Sequence, residues 1–174
     1  MHSLKKLRRK SQETRIATWN LNGRLREGYR QEEIISDMRD YKVEVAALQE
    51  TMWNTDAVVK GNRGEEIINF QSSAQGYRGL GFYMTAEWRN RLVATKIDSE
   101  RIAVIKFRVH HENEGEADMV IINAYVPTLM KAKSQPELTE AFYQDLEKTY
   151  KKEKRGAMFT LILGDSSQQK IKWS

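Results

Sequence analysis

A chain of 174 residues with 40% hydrophobic side chains suffices for one domain with a buried core and falls short of two. It has no Cys, which excludes a disulfide framework and a thiolate metal site; a metal would need oxygen or imidazole ligands, so a hard cation is the default. The formal charge of +5 does not make the whole chain a nucleic-acid binder, because residues 1–15 hold six basic side chains against Glu13 alone and the remainder is balanced.

Residues 1–14 read as a solvated, disordered leader, with nuclear localisation or phosphate binding as the alternative role for its basic residues. The longest apolar runs, 45–48 and 161–163, are far too short to span a bilayer, and the N-terminus lacks the apolar core of a signal peptide. The expectation is a soluble intracellular protein, nuclear or cytoplasmic, without membrane contact.

The first element is an apolar, β-prone strand from residue 16 that stops at Asn20, Asn22 and Gly23, amides well placed to touch a ligand. Ile34, Ile35, Met38 and Tyr41 then recur at helical spacing, with Glu32 and Glu33 early and Arg39 late as the dipole favours, so residues 28–41 are a predicted amphipathic helix. The dense apolar run 43–48 follows, read as a strand covered on both faces and ending in Gln49-Glu50-Thr51. Strand, helix, strand implies two parallel strands; if they are neighbours, Asn20 and Glu50 emerge at one carboxyl edge, where open α/β sheets place their ligands.

Residues 55–64 are polar and read as loop, and strands are predicted over 67–72, 80–84, 102–109 and 119–125, the last two joined through the acidic turn 112–116. Gly76, Gly79 and Gly81 precede a strand and not a helix, so they read as turn and packing glycines and not as a phosphate loop. Ser134-Gln135-Pro136-Glu137 reads as a capping box for a helix whose Leu138, Ala141, Phe142 and Leu146 form the buried stripe. Its basic end, Lys151, Lys152, Lys154 and Arg155, reads as solvated and dipole-favoured. A last strand, 158–163, stops at Gly164-Asp165, and Tyr125 and Asp165 join the polar strand ends.

The ordered motifs Thr18-Trp19-Asn20-Leu21-Asn22-Gly23, Leu48-Gln49-Glu50-Thr51, Asn123-Ala124-Tyr125-Val126-Pro127 and Leu163-Gly164-Asp165 resemble the endonuclease/exonuclease/phosphatase superfamily, the fold of deoxyribonuclease I. Gly79-Leu80-Gly81-Phe82 and Ser99-Glu100-Arg101-Ile102 look most like the endonuclease domains of non-LTR retrotransposons and craniofacial development protein 2-like proteins. The resemblance covers residues 15 to about 168. It implies an α/β fold, a deoxyribonuclease I-like two-sheet sandwich, and metal-dependent phosphodiester cleavage with DNA as the substrate class.

On this resemblance Glu50 is the central ligand of a Mg²⁺ or Mn²⁺ ion, with Asn20 in support of the metal and of catalysis. Tyr125 would hydrogen-bond the scissile phosphate, Asp165 would orient or deprotonate the nucleophilic water, and Asn22 and Ser167 fall on the substrate side. Trp19 is most simply core. The sequence departs from the family at Gly164-Asp165-Ser166-Ser167, where Ser167 replaces an asparagine, and at Asn22, where some members carry aspartate. The family's terminal Asp-His motif has no counterpart after Asp165, and His110 and His111 read as exposed strand-end residues. The expectations are therefore a fold incomplete at its C-terminus, weak or lost turnover, and a sheet edge left for a protein partner. The alternatives are an inactive remnant serving as a nucleic-acid or protein binding module, and a phosphoinositide or RNA-tail substrate.

Overall fold

The computed structural model describes residues 13–26, 30–53, 55–70, 79–111, 115–127 and 134–165. The fold is built outward from β2 (Val45–Gln49), whose five residues are all buried. β1 (Ile16–Asn20) lies parallel to it in the register Ile16↔Val45 to Asn20↔Gln49, the two joined through α1 (Arg30–Asp40), which buries Ile34, Ile35 and Met38. The other side of β2 pairs antiparallel with β5 (Leu80–Met84), and β4 (Glu66–Phe70) and β3 (Ala57–Lys60) complete a sheet of order β1-β2-β5-β4-β3.

The second sheet runs β6-β7-β8-β9, from β6 (Leu92–Ser99), β7 (Ile102–His111), β8 (Gly115–Tyr125) and β9 (Ala157–Asp165). β8 and β9 are parallel, and the connection between them includes α3 (Pro136–Glu153). Alternation along the strands sends one face of each sheet inward and one to a helix. Val45, Ala47, Phe82, Ile105, Phe107 and Ile121 form the core between the sheets. Ala46, Leu48 and Tyr83 pack outward against α1, and Ile102, Val104, Val120 and Ile122 against Phe142 and Leu146 of α3. The result is a four-layer α/β sandwich, helix, sheet, sheet, helix.

Several elements differ from the sequence expectations. Residues 57–60, read as loop, form edge strand β3, where Val58 and Val59 pair with β4 while only alternate positions are partly covered. The pattern also gave no element between 85 and 101, where the structure has α2 (Ala86–Asn90) and β6. The N-cap of α3 is Gln135, one residue beyond Ser134, and it makes no side-chain cap bond. Its buried stripe is Phe142, Leu146, Thr149 and Glu153, lower on the helix than expected, and Leu138 is 50% exposed. The cause is Glu153, which sits against the second sheet between Lys96 at 2.8 Å and Lys106 at 3.8 Å and anchors the C-terminal end of α3. Trp19 is partly buried against α1 as expected, with the Arg24 guanidinium 5.5 Å from its ring centroid.

Candidate active site

The two sheets bring four strand ends to one end of the sandwich. Asn20 and Gln49 are register partners at the carboxyl ends of β1 and β2, and the loops beyond stay together through Leu21 N–H to Gln49 O at 2.8 Å and Gly23 N–H to Glu50 O at 2.7 Å. In the second sheet Tyr125 and Asp165 are register partners at the carboxyl ends of β8 and β9.

At the mouth of this end a side-chain hydrogen bond crosses between the sheets. Tyr125 Oη donates to Glu50 Oε1 at 2.7 Å, in a partly buried setting. Strand alternation alone would not allow it. Val45, Ala47 and Gln49 face the other sheet, so a continued β2 would turn Glu50 toward α1 with Ala46 and Leu48. Glu50 instead has φ +50°, and the left-handed turn redirects its carboxylate across the sandwich to Tyr125. Asn22 (φ +47°) and Met52 (φ +51°) share that conformation, so three non-glycine left-handed residues surround the cluster. Such backbone costs on the order of 1–2 kcal/mol per residue and concentrates at functional sites.

Asn20 Oδ1 accepts the Asn22 N–H at 3.0 Å, closing a tight side-chain turn that caps β1. Of the residues singled out from sequence, Asn20, Asn22, Glu50 and Tyr125 thus share one end of the sandwich, and the Asp165 backbone lies beside Tyr125 one strand spacing away. The Asp165 side chain and all of Ser167 lie outside the described residues. His110 is exposed at the far end of β7, as expected, and the side chain of His111 is also outside the description.

Two neighbours of the cluster were not singled out as site residues. Arg101, in the turn between β6 and β7, places its guanidinium 5.2 Å from the Tyr125 ring centroid. It also donates to Tyr125 O at 3.1 Å and so stands as the cation beside the tyrosine. Asn123, two residues before Tyr125 on the same face of β8, is wholly buried and hydrogen-bonded to the first sheet. Both lie inside motifs quoted from sequence, but their side-chain duties depend on strands distant in the chain.

Close backbone approach fixes this end. A Cβ on Gly164 would stand 1.8 Å from Ala124 O, so only glycine lets β9 lie this close to β8 next to Asp165. Gly79 has φ +107°, and a Cβ there would meet Thr51 Oγ1 at 2.1 Å, directly behind Glu50.

Among the described residues no group of three or more His, Cys, Asp and Glu could hold a metal by itself. The donor chemistry still suits Mg²⁺, which binds through one or two carboxylates and keeps its remaining positions for water and substrate phosphate. Glu50 supplies one such carboxylate, with Oε1 holding Tyr125 and Oε2 left for other partners.

This architecture is a deoxyribonuclease I-like α/β sandwich. The catalytic domain of Xenopus laevis APE2 superposes with TM-score 0.68 at 18% identity, over 88% of this chain and 58% of that one. The human Nocturnin catalytic domain with bound sulfate anion gives 0.58 at 15% identity, over 90% and 64%, and the AP endonuclease LMAP from Leishmania major 0.56 at 20%, over 75% and 46%. The chain therefore spans less than two thirds of each of these structures. Neither a protein-family model nor a curated protein sequence matches it.

Proposed function

We propose that the strand-end cluster is a divalent-metal-dependent phosphodiesterase site acting on DNA, of the kind used by retroelement endonucleases. The observation that carries this reading is the Tyr125–Glu50 hydrogen bond, made possible by the left-handed turn at Glu50. A backbone cost is being borne to aim a carboxylate at the mouth of the sandwich, where a buried ion pair or apolar contact would have been the stabilising choice. The fold shared with an AP endonuclease, a nuclease by its name, supports the reaction class.

In this reading Glu50, supported by Asn20, holds Mg²⁺ or Mn²⁺, which when bound neutralises phosphate charge and polarises the attacking water. Tyr125, whose one hydroxyl proton lies on Glu50 in the free protein, turns it to a non-bridging phosphate oxygen when substrate binds, and Arg101 beside it adds positive charge where the transition state gains negative charge. Asp165 orients the nucleophilic water and takes its proton, and Asn22 and Ser167 contact the substrate. Because Ser167 offers a hydroxyl where the family has an amide, turnover is lowered on the order of 10²–10³-fold relative to a site with that donor. The basic leader and the Cys-free composition accord with an intracellular setting, nuclear or cytoplasmic.

The test is a substrate panel with Mg²⁺ and Mn²⁺: supercoiled plasmid, an adenylated RNA and a soluble phosphoinositide. Plasmid nicking above that of Glu50→Ala is the expected result. Release of phosphate or nucleotide from either other substrate, with plasmid intact, would transfer the site to that chemistry.

A specific observation favours a partner-binding role as well. Among the described residues β9 pairs only with β8, and its Phe159 and Leu161 are 53% and 36% exposed. An apolar, unpaired strand edge of this sort fits a protein segment that adds to the sheet.

A further inference from the structure

Behind the Tyr125–Glu50 contact lies a buried amide cluster that joins the two sheets. Asn123 and Gln49 are both wholly inaccessible to solvent. The Asn123 carboxamide donates to Leu48 O at 2.8 Å on β2 and to Gly81 O at 3.0 Å on β5, and its Oδ1 accepts Gln49 Nε2–H at 2.7 Å. Gln49 Nε2 also lies 3.1 Å from Thr18 Oγ1 on β1. One side chain of the second sheet thus holds three groups of the first, and through Gln49 reaches a third strand.

The core around this cluster is apolar, with Ala47, Phe82, Ile105 and Ile121 fully buried in the same layer. Apolar packing between sheets is tolerant of sliding, because dispersion contacts have no direction. Hydrogen bonds have direction, and a buried amide that loses its partners is left desolvated, so the cluster admits one relative placement of β2 and β8. Its position in sequence gives that constraint a purpose. Gln49 immediately precedes Glu50, and Asn123 precedes Tyr125 by two residues on the same face of its strand.

We propose that Asn123 is a positioning residue: its buried carboxamide locks β8 onto β2 and β5 so that Tyr125 Oη is delivered to Glu50. The inference rests on the phosphodiesterase reading for its catalytic meaning, while the geometric claim stands on the hydrogen bonds alone. A misplacement of about 1 Å at a reacting group is enough to cost on the order of 10²-fold in rate, which is why a support of this rigidity belongs behind such a site.

The experiment labels tyrosine at 13Cζ, whose resonance reports the hydrogen bonding of the phenolic oxygen, and assigns Tyr125 by its loss in Tyr125→Phe. Glu50→Ala supplies the position of the resonance without its acceptor. In Asn123→Leu the Tyr125 signal is expected to move at least half the way to that position, or to broaden through exchange. Plasmid-nicking kcat should fall roughly 10- to 100-fold with KM changed by less than about threefold. Ile105→Ala, a cavity in the same core layer, is the control: it lowers the melting temperature but leaves the Tyr125 resonance in place. If Asn123→Leu does not fold, Asn123→Ser carries the test by the same readout, since its hydroxyl cannot reach both carbonyls. A folded Asn123 variant with an unmoved Tyr125 resonance would overturn the proposal. An inactive wild type whose Tyr125 resonance still responds would remove the nuclease reading and leave the positioning role standing.

Discussion

Glu50 shows what a single residue gives up for its place in the site. Its φ of +50° is one that asparagine adopts more readily than glutamate, and its carboxylate is spent on Tyr125 and not on an ion pair in the core. Glu50→Asn is therefore expected to leave stability unchanged, or to raise it by up to about 1 kcal/mol, while abolishing nuclease activity. Urea unfolding measures the first effect, and a loss above about 1 kcal/mol would mean that the turn is not strained. Gly164 offers the opposite case. A methyl group there would press on Ala124 O, so Gly164→Ala should cost about 1–3 kcal/mol and separate Asp165 from Tyr125. A Gly164→Ala protein that melts with the wild type would contradict the close approach of β8 and β9.

Single residues also mark the limit of what could be read from the chain. Asn20, Glu50, Tyr125 and Asp165 were legible because each sits where an apolar run ends, and a strand end is a local signal. Asn123 was not, since its meaning depends on Leu48 and Gly81, residues brought to it only by the stacking of two sheets. Arg101 was hidden in the same way, and nothing local announces the positive φ of Glu50, a conformation that glycine would have signalled.

At the level of elements, the β1-α1-β2 unit followed directly from its periodicities, because β2 is buried throughout and α1 buries the stripe Ile34, Ile35 and Met38. β3 and β6 escaped notice for the complementary reason. Both are edge strands with exposed positions, such as Val58, Val93 and Ile97, so their alternation is diluted. The buried stripe of α3 runs further along the helix than its periodicity suggested, because its C-terminal end is anchored by Glu153 to Lys96 and Lys106, an ion cluster formed across elements.

α1 is fastened in a comparable way. Its Arg39 bonds Glu65 and Asn62 in the turn between β3 and β4, tying the helix to the far edge of its sheet. The hydrogen bond from Arg39 holds the Glu65 carboxyl down at about 2 against an ordinary 4.5, with burial opposing. A carboxyl whose folded value is depressed contributes stability that is complete above the unfolded value and is lost as pH falls toward the folded one. Between pH 5 and pH 2 the wild type should accordingly lose more stability than Glu65→Gln, with the two curves converging in slope above pH 5. Parallel curves across that range would show that the ion pair does not couple helix to turn.

For the molecule as a whole, the four-layer order places every strand end that carries chemistry at one end and leaves the β9 edge uncovered among the described residues. Phe159 and Leu161 share by alternation the inward face of Leu163, which packs in the inter-sheet core, so the apolar layer continues past its cover. The double substitution Phe159→Lys, Leu161→Lys should reduce concentration-dependent self-association in light scattering while leaving the melting temperature within a few degrees. Unchanged scattering would locate the sticky surface elsewhere.

The central claim is that the Glu50–Tyr125 bond between the sheets belongs to a phosphodiesterase site. The most direct measurement is plasmid nicking in Mg²⁺ by wild type, Tyr125→Phe and Glu50→Ala, all verified as folded. The expected order is wild type above Tyr125→Phe by roughly 10-fold or more, with Glu50→Ala at background. Equal nicking by wild type and Glu50→Ala would contradict the claim.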